Sequence, residues 1–109
     1  MPDVTVERRD APRHPMVLEA EVVELPSGAK LRARTSDISR SGCYVDTINP
    51  LPQGSKVRVR FTHHEEVVQA TGKVVYTSYG LGMGICFTEV SSSEQAKLDA
   101  WLAQTNQEF

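Results

Sequence analysis

A chain of 109 residues is long enough to bury one hydrophobic core and too short for two. Its 12 Lys and Arg against 14 Asp and Glu give a formal charge of −2, which argues against a general binder of polyanions, since such binding rests on a broad basic surface. With 39% apolar residues, and Pro and Gly scattered between apolar runs, global disorder is excluded as well.

The N-terminal stretch VERRDAPRHP, Val6 to Pro15, holds three arginines and three charged or titratable neighbours but no core of its own. Pro12 and Pro15 keep Ala11 and His14 away from the α region. Residues 1–14 are therefore expected to form a mobile arm that carries Arg9 and Arg13 on extended chain, with residues 15–109 as the folded unit. Arginine suits phosphate and guanine because its planar fork bonds two acceptors at once and its face stacks on a base.

Period-two segments follow. MVLEAEVVEL sets Met16, Leu18, Ala20 and Val22 on one face against Glu19 and Glu21, and PSG at 26–28 turns the chain. KLRARTS alternates Leu31, Ala33 and Thr35 with Lys30, Arg32 and Arg34, and GCYVDT forms the next strand after a short polar break. INPLPQG is a loop, KVRVRF a fourth strand, THHEE a turn, VVQATGKVVY a fifth strand and LGMGICF a sixth. In HHEE, neighbouring histidines on extended chain point opposite ways, so a solvated turn is favoured over a metal site. Cys43 and Cys86 have no CxxC partner and read as buried free thiols, not as a zinc site or disulfide framework. No run approaches the roughly 18 apolar residues of a membrane span. Together with the lack of a signal peptide, this leads us to expect a cytoplasmic domain that does not insert into membranes.

At the end the period changes to that of a helix, expected over about 92–105. Ser91 stands three residues before Glu94, a capping-box spacing, and Leu98, Trp101 and Leu102 share one face. Six short antiparallel strands remove their exposed edges by closing into a barrel, which the amphipathic helix can cover. The fold class expected is mainly β, a six-stranded antiparallel barrel with a C-terminal helix and an extended N-terminal arm.

The break between the second and third strands reads DISRSG. If the chain is still extended at Asp37, Asp37 and Ser39 point to one side, and Gly42 permits a positive φ or a close backbone approach. A carboxylate there can accept from the N–H donors of a guanine edge, and a hydroxyl can donate to a base or phosphate oxygen. Taken alone, the same residues also describe a self-bonded turn. No nucleophile, base and orienting group stand together and no carboxylate pair falls in an expected cleft, so catalysis is not expected.

Arg9-x-x-x-Arg13 followed by Asp37-x-Ser39-x-x-Gly42, within six strands and with GLGMGICF at 80–87, resembles the PilZ domain, a bacterial receptor module for cyclic di-GMP. The resemblance spans residues 7 to about 103. It implies that Arg9 and Arg13 bind guanine edges and phosphates, that Asp37, Ser39 and Gly42 hold a guanine against the barrel, and that Arg8 favours two intercalated ligand molecules over one. Arg40 is a secondary candidate for a phosphate, and Tyr76 for stacking on a purine or for barrel packing. Gly82 and Gly84 are expected to leave room for a close strand or ligand. The resemblance further implies an unidentified protein effector, no nucleic-acid partner, and no cofactor apart from the ligand. Two alternatives stay open: a PilZ-like interaction module with little ligand binding, and a small nucleic-acid-binding barrel using Arg32, Arg34, Arg58 and Arg60.

Overall fold

The computed structural model describes residues 12–106. The strands are β1 (His14–Pro15), β2 (Glu19–Glu24), β3 (Lys30–Ile38), β4 (Gly42–Asp46), β5 (Lys56–His63), β6 (Glu66–Ser78) and β7 (Gly82–Glu89), followed by helix α1 (Ser92–Asn106). Pairing runs β3-β2-β5-β6-β7-β4, and β4 returns to pair with β3, so six antiparallel strands close on themselves. Closure leaves no long open edge to aggregate. Inward-facing Val22, Val45, Val57, Val59 and Phe61 are fully buried, alternating with exposed Lys56, Arg58 and Arg60 along β5.

The seventh strand corrects the expected boundary of the arm. His14 and Pro15 pair with Ile38 and Asp37 of β3, and His14 is buried, so the last residue assigned to the arm is seated on the barrel. A proline is tolerated in this short segment because it lies at an edge, where its missing N–H deprives no further strand of a bond. Residues 1–11 of the expected arm lie outside the described residues.

A buried threonine stitches this entry segment down. Thr35 Oγ1 donates to the Met16 carbonyl at 2.7 Å and accepts from the Leu18 N–H at 3.0 Å, while the Thr35 N–H donates to the Leu18 carbonyl at 3.0 Å. Thr35→Val keeps the shape but removes the hydroxyl that accepts from the buried Leu18 N–H. An unsatisfied buried group costs about 1–3 kcal/mol, so the variant should melt roughly 5–15 °C lower by calorimetry.

Two one-residue bulges decide which side chains leave the interior. In β3, Leu31, Ala33 and Thr35 face inward in steps of two, but the register with β4 jumps from Thr35↔Val45 to Asp37↔Tyr44, leaving Ser36 as an extra residue. Ile38 consequently takes the next inward place, fully buried, and Asp37 turns outward. In β6, Val68, Ala70, Gly72 and Val74 face inward, and the register with β7 jumps from Val74↔Ile85 to Tyr76↔Gly84, with Val75 extra. Tyr76 therefore lies outside, 42% exposed. A bulge re-aims a side chain in this way because the extra residue shifts the period-two parity by one.

Helix α1 completes β6 where β7 has ended. Pairing between those strands begins at Thr71, and side chains of α1 satisfy backbone groups of β6 before that point. Lys97 Nζ donates to the Val67 carbonyl at 2.6 Å, and Glu94 Oε1 accepts from the Gln69 N–H at 2.7 Å. The capping box is thus half realised: the Glu94 N–H donates to Ser91 Oγ at 3.4 Å, but the Glu94 carboxylate is spent on β6. Leu98, Trp101 and Leu102 are buried and join the core, as their spacing requires.

Trp101 also packs edge-to-face on His63 at 5.3 Å between ring centroids. His63 ends β5, and His64 and Glu65, both at positive φ, form the two-residue hairpin turn. Burial and the neighbouring His64 lower the His63 pKa, against an opposing pull from Glu66. Because folding depresses this pKa, the neutral imidazole's contribution to stability is present above about pH 6.5 and lost as pH falls through the folded value. The emission of Trp101, the single tryptophan, should therefore titrate with a midpoint below 6.5, and His63→Gln should remove that transition.

Candidate functional site

The outward residues converge on one row across four strands. Asp37 on β3 is register partner to Tyr44 on β4, Tyr44 to Gly84 on β7, and Gly84 to Tyr76 on β6, with Pro15 of β1 beside Asp37. Above this row sits Arg13. Its Nη1 donates to both Asp37 carboxylate oxygens, at 3.2 and 3.3 Å. Burial works to lower the Arg13 pKa, but the Asp37 charge and the Tyr76 phenol outweigh it and raise the value, so the guanidinium keeps its charge at every accessible pH. One nitrogen serving two oxygens is not the fork-to-fork pairing of a strong arginine–carboxylate bond. With Arg13 56% exposed, such a pair is worth about 0.2–1 kcal/mol, so either partner is cheaply released to a competing ligand.

Ser39, Arg40 and Gly42 have a different arrangement from Asp37. The chain is no longer extended after Ile38, and Ser39 is buried in the turn to β4. Its N–H donates to the Gly42 carbonyl at 2.8 Å, and its Oγ accepts from the Ser41 N–H at 3.2 Å and lies 3.3 Å from Ser41 Oγ. The side-by-side placement of Asp37 and Ser39 expected from extended chain is thereby replaced by a self-bonded turn beneath a half-buried, outward-facing carboxylate. Gly42 serves close approach, not positive φ: a Cβ there would come 2.3 Å from the Ile85 carbonyl of β7. Arg40 turns away to α1, where Nε donates to Asp99 Oδ1 at 2.9 Å and Nη2 to Oδ2 at 3.5 Å, with Gln95 Nε2 also on Oδ1 at 2.9 Å. These bonds hold the Asp99 pKa below its usual value, the Arg40 hydrogen bond being the largest cause.

Arg8 and Arg9 lie outside the described residues. Of the other site candidates, the structure brings Arg13, Asp37 and Tyr76 together, places Ser39 and Gly42 in the turn below them, and ties Arg40 to the helix. The room expected at Gly82 and Gly84 is filled by rings. A Cβ on Gly84 would meet the Tyr76 ring at 2.4 Å and one on Gly82 the Tyr44 ring at 2.7 Å, so each tyrosine lies over a glycine of β7. Tyr44 is the residue of this face that sequence reasoning passed over; its only signal was an aromatic at a solvent-facing position of GCYVDT.

Reaction chemistry finds little support on this face. Among the described residues no group of three or more His, Cys, Asp and Glu is placed to hold a metal. Cys43, under the row, is buried, and burial together with the Asp37 charge pushes its thiol pKa strongly up, the opposite of an activated nucleophile.

A carboxylate and a guanidinium from two separated motifs thus meet on the outer barrel wall, with two aromatic rings beside them. The model of the PilZ domain covers residues 7–104. This chain belongs to the PilZ domain family. No curated protein matches the sequence. Among solved structures, the PilZ domain of YcgR from Escherichia coli, determined with c-di-GMP, superposes with a TM-score of 0.76 at 17% identity over 93% of each chain. The PilZ domain of CeSA from a cellulose-synthesizing bacterium gives a TM-score of 0.69 at 17% identity, covering 89% of this PilZ chain and 100% of that one. Bacillus subtilis MotI/DgrA, an inhibitor of motility, gives 0.71 at 20% identity over 93% of this chain, which spans only 53% of the MotI/DgrA chain. No helix among the described residues is long and apolar enough to cross a membrane.

Proposed function

We propose that this PilZ domain is a receptor for cyclic di-GMP that reports ligand occupancy to a protein partner. The observation that carries the reading is the meeting of Arg13, from the first motif, with Asp37, from the second, across 24 residues of sequence. A guanine presents N–H donors that a freed Asp37 carboxylate accepts, and its O6 and N7 acceptors suit an arginine fork. The solved complex of a related PilZ domain with c-di-GMP supports the same choice of ligand. Arg8 and Arg9, just upstream of the row, supply further guanidinium groups for the phosphates, and Arg8 favours a pair of intercalated ligands, whose four phosphate charges need additional cations.

The competing nucleic-acid reading loses support from the register. Glu21 stands between Arg32 and Arg60, and Glu19 and Asp46 flank Arg34, so the strand arginines that would track a phosphate backbone alternate with carboxylates.

Signalling in this reading is a shift between two states, driven by the ligand's greater affinity for one of them. Ligand drawn between the first-motif arginines and Asp37 closes residues 1–13 onto the barrel wall, and the Arg40–Asp99 contact links the second motif to α1. Both effects change surface that a partner can read. Isothermal titration of the folded protein with cyclic di-GMP is the test. Saturable heat supports the reading, and its absence from a protein with a native circular-dichroism spectrum overturns it.

A further inference from the structure

Tyr44 and Tyr76 form a feature that neither signature motif accounts for. Their ring centroids are 5.9 Å apart with planes inclined by only 30°, too nearly parallel for an edge-to-face pair. They lie side by side. Each covers a glycine of β7, Tyr44 over Gly82 and Tyr76 over Gly84, and with no β-carbon beneath them the rings settle low on the strand. Tyr44 is also the cross-strand neighbour of Asp37, the carboxylate that Arg13 covers. Going outward from Asp37, the wall is thus acid, ring, ring, with Arg13 within reach of the first and the last. Nothing in core packing requires this: Cys43 and Val45, on either side of Tyr44, fill the interior, and Tyr44 is left only half-buried on the outside.

We propose that Tyr44 is a further ligand-binding residue of this site, its ring forming with Tyr76 a continuous two-ring floor on which a purine of the cyclic dinucleotide lies while Asp37 holds that base by its edge. The inference rests on the function proposed above and adds to it a named contact and a preference for large, flat bases. Stacking on an aromatic face tolerates any base but grows with overlap, and two adjacent rings offer a bicyclic purine an area that one ring cannot. The seat glycines explain why the floor stays flat: at either position a side chain would lift the ring above it.

The test is titration calorimetry of cyclic di-GMP against wild type, Tyr44→Phe, Tyr44→Leu and Asp37→Ala. Tyr44→Phe keeps the face and should bind within about twofold of wild type, whereas Tyr44→Leu should lose about fivefold or more, the low end of what one stacked base contributes. In the wild-type protein, NMR signals of the Tyr44 ring should move as ligand is added, a readout that needs no variant to fold. Wild-type affinity in folded Tyr44→Leu, or an unmoved Tyr44 ring at saturation, overturns the inference. Saturable binding by the wild-type protein keeps the receptor reading intact whatever Tyr44→Leu does; absence of wild-type binding overturns the receptor reading, and wild-type affinity in Asp37→Ala overturns only the assignment of Asp37.

Discussion

Asp37→Ala should weaken cyclic di-GMP binding by about 100-fold, and Arg13→Ala by a similar factor, while neither variant melts more than a few degrees below wild type. The two magnitudes come from the same pair of side chains seen in two surroundings. In the free protein the Arg13–Asp37 contact is exposed, 56% for the arginine side chain and 27% for the aspartate, and a pair of that kind contributes under about 1 kcal/mol. In the proposed complex each group would make charge-assisted hydrogen bonds to the ligand, worth roughly 1.5–3 kcal/mol apiece. A loss of about 2.7 kcal/mol is a factor of 100 in affinity. Because the two residues touch, their effects should not add: in Asp37→Ala the guanidinium is already released, and removing it as well costs less than it does alone. Asp37→Asn refines the test, since its amide keeps one acceptor but turns an N–H₂ toward the donors of a guanine edge. Titration calorimetry of the four variants, paired with thermal melts, separates the outcomes. Wild-type affinity in either alanine variant would overturn the assignment of that residue.

Much of this molecule is legible in the amino-acid order because its strands obey a simple rule. The alternation of Val57, Val59 and Phe61 with Lys56, Arg58 and Arg60 is reproduced residue for residue in β5, and the Leu98, Trp101, Leu102 stripe lands in the core. Closure of the six strands follows from their number and brevity. What the order conceals are the places where the rule is broken by one residue. Counting in twos from Val68 puts Tyr76 inside the barrel, and counting from Leu31 does the same to Asp37; Val75 and Ser36, the inserted residues, carry no chemical sign of it. A bulge is set by the pairing of two strands, so neither strand alone announces it. The same holds for Tyr44, whose significance arises from Gly82 on a strand nearly forty residues away, and for Thr35, which looks like one more inward β-branched residue until Met16 and Leu18 are placed beside it. The motif residues were recognisable without any of this. Their division of labour was not: Asp37 presents its carboxylate, Ser39 and Gly42 shape the turn that supports it, and Arg40 reaches for the helix.

Trp101→Ala should be the most damaging single substitution for stability. The indole is 2% exposed, and truncating a large aromatic in a packed core costs about 3–5 kcal/mol. To this must be added the loss of a polar anchor: Trp101 Nε1 donates to Glu66 Oε1 at 2.6 Å, at the first residue of β6, next to the stretch of that strand which Glu94 and Lys97 cover. Intrinsic helicity offers little compensation, because isolated helices of about 15 residues are marginal in water and depend on a docked face. Against a total stability of roughly 5–15 kcal/mol for a domain, the variant should melt at least 15 °C below wild type, with a shallower dependence on urea if α1 already detaches in the native state. Trp101→Phe separates the two parts: it keeps most of the buried surface, gives up the Glu66 bond, and should fall between. The helix also holds Arg40 through Asp99, so a detached α1 frees the loop between β3 and β4. If the barrel of Trp101→Ala survives at low temperature, it should bind cyclic di-GMP with altered affinity although the substituted residue does not belong to the ligand wall. A melting temperature unchanged in Trp101→Ala would show that α1 is dispensable to the core, and with it would fall the proposed link from the second motif to the helix.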